Sequence, residues 1–257
     1  MEMELTGKRV LVTGASKGIG LACAIAFAKE GCDLVLSARN GDALRAAAED
    51  IRQRHNVNVA VHAADLSEAA ARAGLHAAHP EIDVLVNNAG AIPGGTVHDI
   101  SLGRWQQAWQ LKVFGYIHMV QLYLPQMEAR GAGTIINIIG MAGRGPRADY
   151  ICGAAGNASL IAFTGALGGR SVDKGVRVAG INPAATRTDR IITLAKSRAQ
   201  TRWGDESRWE ETLQGLPMGR PAEVEEIADL AVFMASPRGG YLSGTTVDVD
   251  GGGLFRG

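Results

Sequence analysis

The sequence predicts an α/β protein: one doubly wound sheet of seven parallel strands flanked by helices. Three observations predict it. Short apolar runs alternate with longer amphipathic stretches along the whole chain. Several of the short runs are dense in Val and Ile with little alternation, as parallel strands buried on both faces require. The first run leads straight into a glycine-rich turn and a helical stretch, the opening of a βαβ unit.

Taken in order, strands are predicted at Arg9–Thr13, Asp33–Ser37, Asn58–His62, Val84–Asn87, Thr134–Ile139, Val176–Ile181 and Thr246–Val249. Helices are predicted at Ile19–Glu30, Asp42–Arg54, Ser67–Ala78, Leu102–Arg130, Tyr150–Asp173 and Ala222–Ala235, each long enough for a parallel crossover. Thr188–Leu216 breaks the rhythm: it is charged, helix-prone and carries Trp203 and Trp209. An insertion after a strand's C-terminal end suits a substrate-side element. A solvated helical excursion with its tryptophans packed inward fits the composition equally well. No low-complexity linker or internal repeat divides the chain, so residues 1–257 read as one domain.

Composition narrows the function. Among 257 residues, 26 basic side chains balance 26 acidic ones, which argues against a nucleic-acid partner that would demand a basic surplus. At 46% hydrophobic and 20% charged the chain is a folded one. Its 34 glycines, about twice the average usage, show no period and point to tight turns. The N-terminal MEMELTGKR lacks the apolar stretch of a signal peptide, and no run of 18 apolar residues occurs. A soluble cytoplasmic protein with no membrane partner is expected. Cys23, Cys32 and Cys152 are too few and scattered for disulfides or a zinc site, and Cys23 and Cys32 are expected to be buried. His76 and His79 lack an accompanying carboxylate cluster and read as surface histidines, so no metal is expected. Trp105 and Trp109, four apart on a helix, read as packing. There is no Gly-x-Ser-x-Gly elbow for a hydrolase nucleophile.

The turn after the first strand, Thr13-Gly14-Ala15-Ser16-Lys17-Gly18-Ile19-Gly20, predicts a dinucleotide site. Its glycines permit a tight turn and close approach of backbone to a pyrophosphate, and the following helix offers amide donors and a positive dipole end. An NAD binder places an acid after the second strand; here that position reads Ser37-Ala38-Arg39-Asn40. Arg39 and Lys17 therefore select NADP(H), whose 2′-phosphate a guanidinium grips in bidentate fashion.

With TGxxxGIG at 13–20, Asp65-Leu66 after the third strand, Asn87-Asn88-Ala89-Gly90 ending the fourth, Asn182-Pro183-Ala184 ending the sixth, and Gly219-Arg220-Pro221 and Asp250-Gly251-Gly252 near the end, the sequence resembles the short-chain dehydrogenase/reductase family over almost its whole length. The resemblance implies a Rossmann fold and a small-molecule substrate. It implies adenine contacts at Asp65 and Leu66, further cofactor contacts at Asn87, Ala89, Gly90 and Pro183, and a carboxamide contact at Thr188. It also implies a homotetramer or homodimer built through the two long helices and the C-terminal strand region.

The catalytic end departs from that family. By resemblance, a tyrosine transfers the proton, a lysine four residues on supports it, a serine polarises the carbonyl, and an asparagine holds a relay water. Tyr150 stands at the tyrosine position, but Ala154, Gly140 and Lys112 occupy those of lysine, serine and asparagine. Tyr150 and Lys112 are the candidate catalytic pair, the lysine stem being long enough to carry its ammonium toward the space vacated at Ala154. Arg144 and Arg147 border the same mouth, either to bind an anionic substrate or as solvated loop residues, and Asp149 suits a helix start. The expected function is an NADP(H)-dependent oxidoreductase acting on a small carbonyl, alcohol or ring compound. The alternatives are a nucleotide-binding homologue that transfers no hydride, and a lyase or hydrolase using Tyr150. Restoring Ser at 140, Lys at 154 and Asn at 112 is expected to raise ketone reduction if the pocket has room.

Overall fold

Alternate residues of each central strand divide between two cores, and this fixes the layers. In β1 (Arg9–Thr13), Val10 and Val12 face one side while Leu11 faces the other; in β4 (Val84–Asn87), Val84 and Val86 oppose Leu85 in the same way. All are almost fully buried, which is why the runs show no polar alternation. The computed structural model describes residues 2–256, apart from the side chains of Ser197, Arg198 and Thr201; Met1 and Gly257, the ends of the predicted domain, lie outside the described residues.

The other strands are β2 (Asp33–Ala38), β3 (Val59–Ala63), β5 (Gly133–Ile138), β6 (Val176–Pro183) and β7 (Thr246–Val249). All seven pair in parallel in one sheet, ordered β3-β2-β1-β4-β5-β6-β7. The chain order reverses between β1 and β4, and the crevice outside the carboxyl ends at such a switch point is where this architecture binds ligands. One face is covered by α1 (Gly18–Lys29), α2 (Gly41–Arg54) and α7 (Val224–Ala235). The other is covered by α3 (Ala69–Ala78), α4 (Leu102–Arg130) and α5 (Ile151–Ser171). Ser101 caps α4, its hydroxyl accepting the Arg104 amide at 3.4 Å, and Gly131 ends it at φ 70°.

The segment Ile151–Lys174 is apolar and long enough to cross a membrane by length and composition, with mean hydropathy 1.4. Here it lies against β6 and α4, and that packing accounts for its apolar face. Arg177 closes the far edge: its guanidinium donates to the carbonyls of Met234 (2.6 Å) and Ala235 (3.0 Å), where the dipole of α7 favours a cation. The cysteines are all buried, and burial pushes the thiols of Cys23 and Cys32 up to about 12. His76 and His79 are half-buried rather than on the surface. His76 meets the Tyr123 ring edge-on at 4.8 Å between centroids, and His79 shares a 3.2 Å hydrogen bond with Arg9.

The predicted excursion is α6 (Asp189–Trp203) packed against a 3₁₀ segment, Glu206–Leu213. Trp203 has the guanidiniums of Arg202 and Arg208 over its ring, at 4.9 and 4.4 Å. This tryptophan therefore packs within the excursion, and what α6 delivers toward the sheet is its first turn.

Candidate active site

Every predicted cofactor residue stands at the carboxyl end of β1, β2, β3, β4 or β6, so the parallel sheet brings them to one edge. Gly14, Ser16, Lys17, Gly18, Ile19 and Gly20 form the turn into α1 and that helix's first residues. Lys17 precedes the helix in an extended conformation and makes no side-chain cap, so the helix end keeps its donors. A Cβ on Gly20 would overlap the Gly14 carbonyl and stand 2.5 Å from Asn88 Nδ2. The Thr188 methyl lies 3.3 Å from where a Cβ on Gly18 would be, which seats β6's following loop on the turn.

Asn88, rather than its neighbour, is the clamp. Its Nδ2 donates to the carbonyls of Thr13 (3.0 Å) and Gly14 (3.3 Å), and the amides of Asn88 and Ala89 donate to Thr13 Oγ1 at 2.9 and 3.1 Å. Asn87 turns inward instead, its Nδ2 donating to Asn137 Oδ1 at 3.0 Å, so its side chain serves the sheet interior. Leu66 is likewise buried at 4% exposure, with its carbonyl accepting from Arg72 Nη1 at 2.6 Å. The turn, the uncapped helix end and the clamp fit a dinucleotide pyrophosphate.

At the end of β2, Arg39 is exposed, while Asn40 caps α2 by accepting the Ala43 amide at 3.0 Å. Asp65 accepts the Ser67 amide at 3.0 Å and hydroxyl at 2.8 Å; these bonds, and beyond them the charge of Arg39, hold its carboxyl below the usual carboxylate range. Lys17 is paired with Asp189 at 3.4 Å. Of the two expected phosphate cations, Arg39 is thus the one without an ion-pair partner among the described residues.

Tyr150 begins α5 and packs with Ile92, Cys152, Trp105 and Trp109. Trp109 Nε1 donates to the Cys152 carbonyl at 3.2 Å, so the two tryptophans are packing, as expected, but packing that walls this site. The Tyr150 ring lies directly on Gly153, where a Cβ would overlap it. Ala154 is buried and brings no cation.

The cation at the tyrosine is one that sequence reasoning missed. Arg190, on the first turn of α6, donates from Nη2 to the Ile92 carbonyl at 2.7 Å and reaches Tyr150 Oη at 3.5 Å. Lys112, the expected partner, is buried instead, with Nζ donating to the Ile138 carbonyl at 2.6 Å and to Tyr116 Oη at 2.9 Å. Its stem passes Gly90, with Cδ 2.6 Å from where a Cβ there would stand. Burial, and secondarily the charge of Arg190, pull the Lys112 ammonium down to about 7. A group titrating there is poised to exchange protons at neutral pH.

A serine in place of the missing one would strain the backbone and crowd Asn157. Gly140 holds φ 133°, a conformation open essentially to glycine, between Asn182 Oδ1, which accepts its amide at 3.3 Å, and Asn157 Nδ2, which donates to its carbonyl at 3.3 Å. A Cβ would stand 2.9 Å from Asn157 Nδ2 and 3.9 Å from the Pro183 carbonyl. Asn157 is buried, with Oδ1 unpartnered among the described residues. The expected gain from serine at 140 is tied to room in the pocket, and here that room depends on Asn157 giving way and on the backbone leaving φ 133°. Gly140→Ser should destabilise by about 1–3 kcal/mol, seen as a lower urea midpoint at unchanged slope. An unchanged midpoint would show that the loop readjusts freely.

Arg144 and Arg147 are each already paired, Arg144 Nε with Asp248 Oδ1 at 3.5 Å and Arg147 Nη2 with Asp149 Oδ2 at 2.6 Å. The signal for the residues that replace them was faint: Asn157 is a polar residue in a helix of small and apolar ones, and Arg190 follows Thr188 by two.

Comparison with known proteins places this geometry. The short chain dehydrogenase family matches residues 8–199. The chain belongs to that family. This short-chain dehydrogenase is 31% identical to the 7alpha-hydroxysteroid dehydrogenase of Escherichia coli (strain K12), over 98% of this chain and 96% of the relative. L-sorbose reductase from Gluconobacter frateurii, solved with NADPH and L-sorbose, superposes with a TM-score of 0.92 at 32% identity, all of both chains being covered. A 7alpha-hydroxysteroid dehydrogenase solved with NADH and 7-oxo glycochenodeoxycholic acid gives a TM-score of 0.84 at 28% identity, covering 98% of this chain and 96% of that one. Such relatives are dehydrogenases and reductases, and the present short-chain dehydrogenase is an oxidoreductase.

Proposed function

We propose that this oxidoreductase uses NADP(H) on a small carbonyl, alcohol or ring compound, with Tyr150 as proton donor and acceptor. The observation that carries the reading is the convergence, on one edge of the sheet, of the clamped glycine turn and a tyrosine hydroxyl 3.5 Å from a guanidinium. When bound, the cofactor supplies the hydride. Tyr150 Oη gives its proton to the substrate oxygen as the alcohol forms and takes it back in the reverse direction. Arg190 orients that hydroxyl, and the tryptophan-lined wall limits water around it. Lys112, its ammonium pulled down to about 7 by burial, runs its stem past Gly90.

Arg39 supports NADP(H) over NAD(H), as does the NADPH complex of the sorbose reductase, whereas the hydroxysteroid enzyme was solved with NADH. NADPH is expected to bind more tightly than NADH, and Arg39→Asp should cost NADPH about 10–100-fold in affinity while sparing NADH, the scale of one charge-assisted contact. Equal affinities of the native protein for both nucleotides, by fluorescence titration, would refute it.

A second reading, nucleotide binding without hydride transfer, is favoured by Gly140 and Ala154 in place of serine and lysine. A carbonyl and alcohol screen followed by nicotinamide absorbance separates the two: turnover of any compound sinks the second, and nucleotide binding without turnover sinks the first. Assembly into dimers or tetramers belongs to the same proposal, supported by the exposed Tyr241 and Phe255 near the C-terminus.

A further inference from the structure

Of the cations around the mouth, most already face a carboxylate: Arg144 faces Asp248, Arg147 faces Asp149, Arg187 faces Glu223 at 2.9 Å, and Lys17 faces Asp189. Arg190 does not. Its partners are neutral oxygens, the Ile92 carbonyl and Tyr150 Oη, both met by Nη2; among the described residues no carboxylate lies within ion-pair distance. The carboxylate next to it in sequence, Asp189, is turned to Lys17. Lys112 too has no carboxylate partner among the described residues, though it is a buried amine bonded to a carbonyl and a phenol. The field of Arg190 reaches it, being one of the causes that lower its ammonium. Arg190 is itself exposed, so solvent reaches its guanidinium; what it lacks among the described residues is a carboxylate partner beside the tyrosine hydroxyl. The phosphate-binding elements, the glycine turn and Arg39, stand at the ends of β1 and β2, whereas Arg190 stands on the first turn of α6, which follows β6.

We propose, resting on the oxidoreductase reading above, that this pocket takes a substrate bearing a carboxylate, gripped by Arg190, with its carbonyl or hydroxyl at Tyr150. A guanidinium has five donors in a planar fork that matches a carboxylate, and most of them are left over after Nη2 is used. Because Tyr150 Oη lies 3.5 Å from Nη2, a carboxylate on Arg190 brings a carbonyl a few carbons away to the tyrosine hydroxyl. The substrate class is therefore a short oxo acid and its hydroxy acid.

The test follows NADPH consumption by the full chain with acetoacetate and levulinate, each against its methyl ester, in the native protein, Arg190→Met and Arg190→Lys. The native protein should prefer each acid over its ester by about 10–100-fold in kcat/KM, the range of one charged contact. Arg190→Met should bring that ratio close to one, mainly through KM, and Arg190→Lys should recover part of it. An ester used as well as its acid, or an acid-to-ester ratio unaltered in Arg190→Met, overturns the proposal. Retained NADPH affinity shows that each variant is folded. If neither acid is turned over, calorimetry with malonate on the NADP-loaded protein reads the same site. Binding weakened about 10–100-fold in Arg190→Met supports the proposal, and absence of malonate binding in the native protein overturns it. The underlying reading fails separately, if malonate binds at Arg190 yet no carbonyl of any charge consumes NADPH.

Discussion

Tyr150→Phe is expected to lower kcat for carbonyl reduction by about 10²–10⁴-fold while leaving NADPH affinity unchanged, since it removes one proton-transferring oxygen and nothing from the nucleotide cradle. The ring keeps its packing against Cys152 and the two tryptophans, so the fold should be unaffected. Gly153→Ala provides an independent route to the same loss. The ring of Tyr150 lies where that methyl would go, so the hydroxyl must leave the position at which Arg190 reaches it. Steady-state rates on any substrate found in the carbonyl screen decide the matter. A Phe variant as fast as the native protein would mean that the proton comes from another group, and Lys112 would then be the one to test.

Lys112→Met should alter how stability depends on pH. The ammonium of Lys112 is held at about 7 in the folded state against 10.5 for an ordinary lysine. Between those values the unfolded chain binds the proton that the folded chain has lost, so native stability rises with pH through this window and its benefit is gone once pH falls below about 7. One proton of difference is worth about 1.4 kcal/mol per pH unit. The window is clean only to about pH 9. Above that, the thiols of Cys23 and Cys32, kept protonated by burial, make the folded state the one holding more protons, and the slope reverses. Urea unfolding at pH 7 and pH 9 should show the rise in the native protein and its loss in Lys112→Met. The methionine leaves no stranded acceptor, because Tyr116 Oη still donates to the Ile138 carbonyl at 2.9 Å. A native protein equally stable at both values would show that the amine stays charged and reaches water.

Much of this was legible in one dimension because the physics involved is local or periodic. Central strands of a parallel sheet are apolar on both sides, so Arg9–Thr13 and Val84–Asn87 stand out as unbroken runs, and the strand ends differ from expectation by at most two residues. The turn at 13–20 announces its ligand because backbone amides and glycines within eight residues do the binding, with no distant partner required. The missing serine and lysine were equally visible, since a residue type can be read at a position without knowing what surrounds it.

What surrounds a side chain depends on segments far apart in the chain, and there the fold alone decided. Arg144, Arg147 and Arg190 are the same residue type near the same mouth; pairing with Asp248 and Asp149 occupies two of them, and α6 carries the third to a hydroxyl 40 residues away in sequence. Lys112 reads as a long cation, yet the depth of α4 buries its ammonium against the Ile138 carbonyl and pulls its pKa down to about 7. Gly140 looks like a simple loss of serine until Asn157, 17 residues on, is found filling the space, with the backbone at φ 133°. Charge state, available volume and pairing are properties of the three-dimensional neighbourhood, and burial, desolvation and contact are what set them.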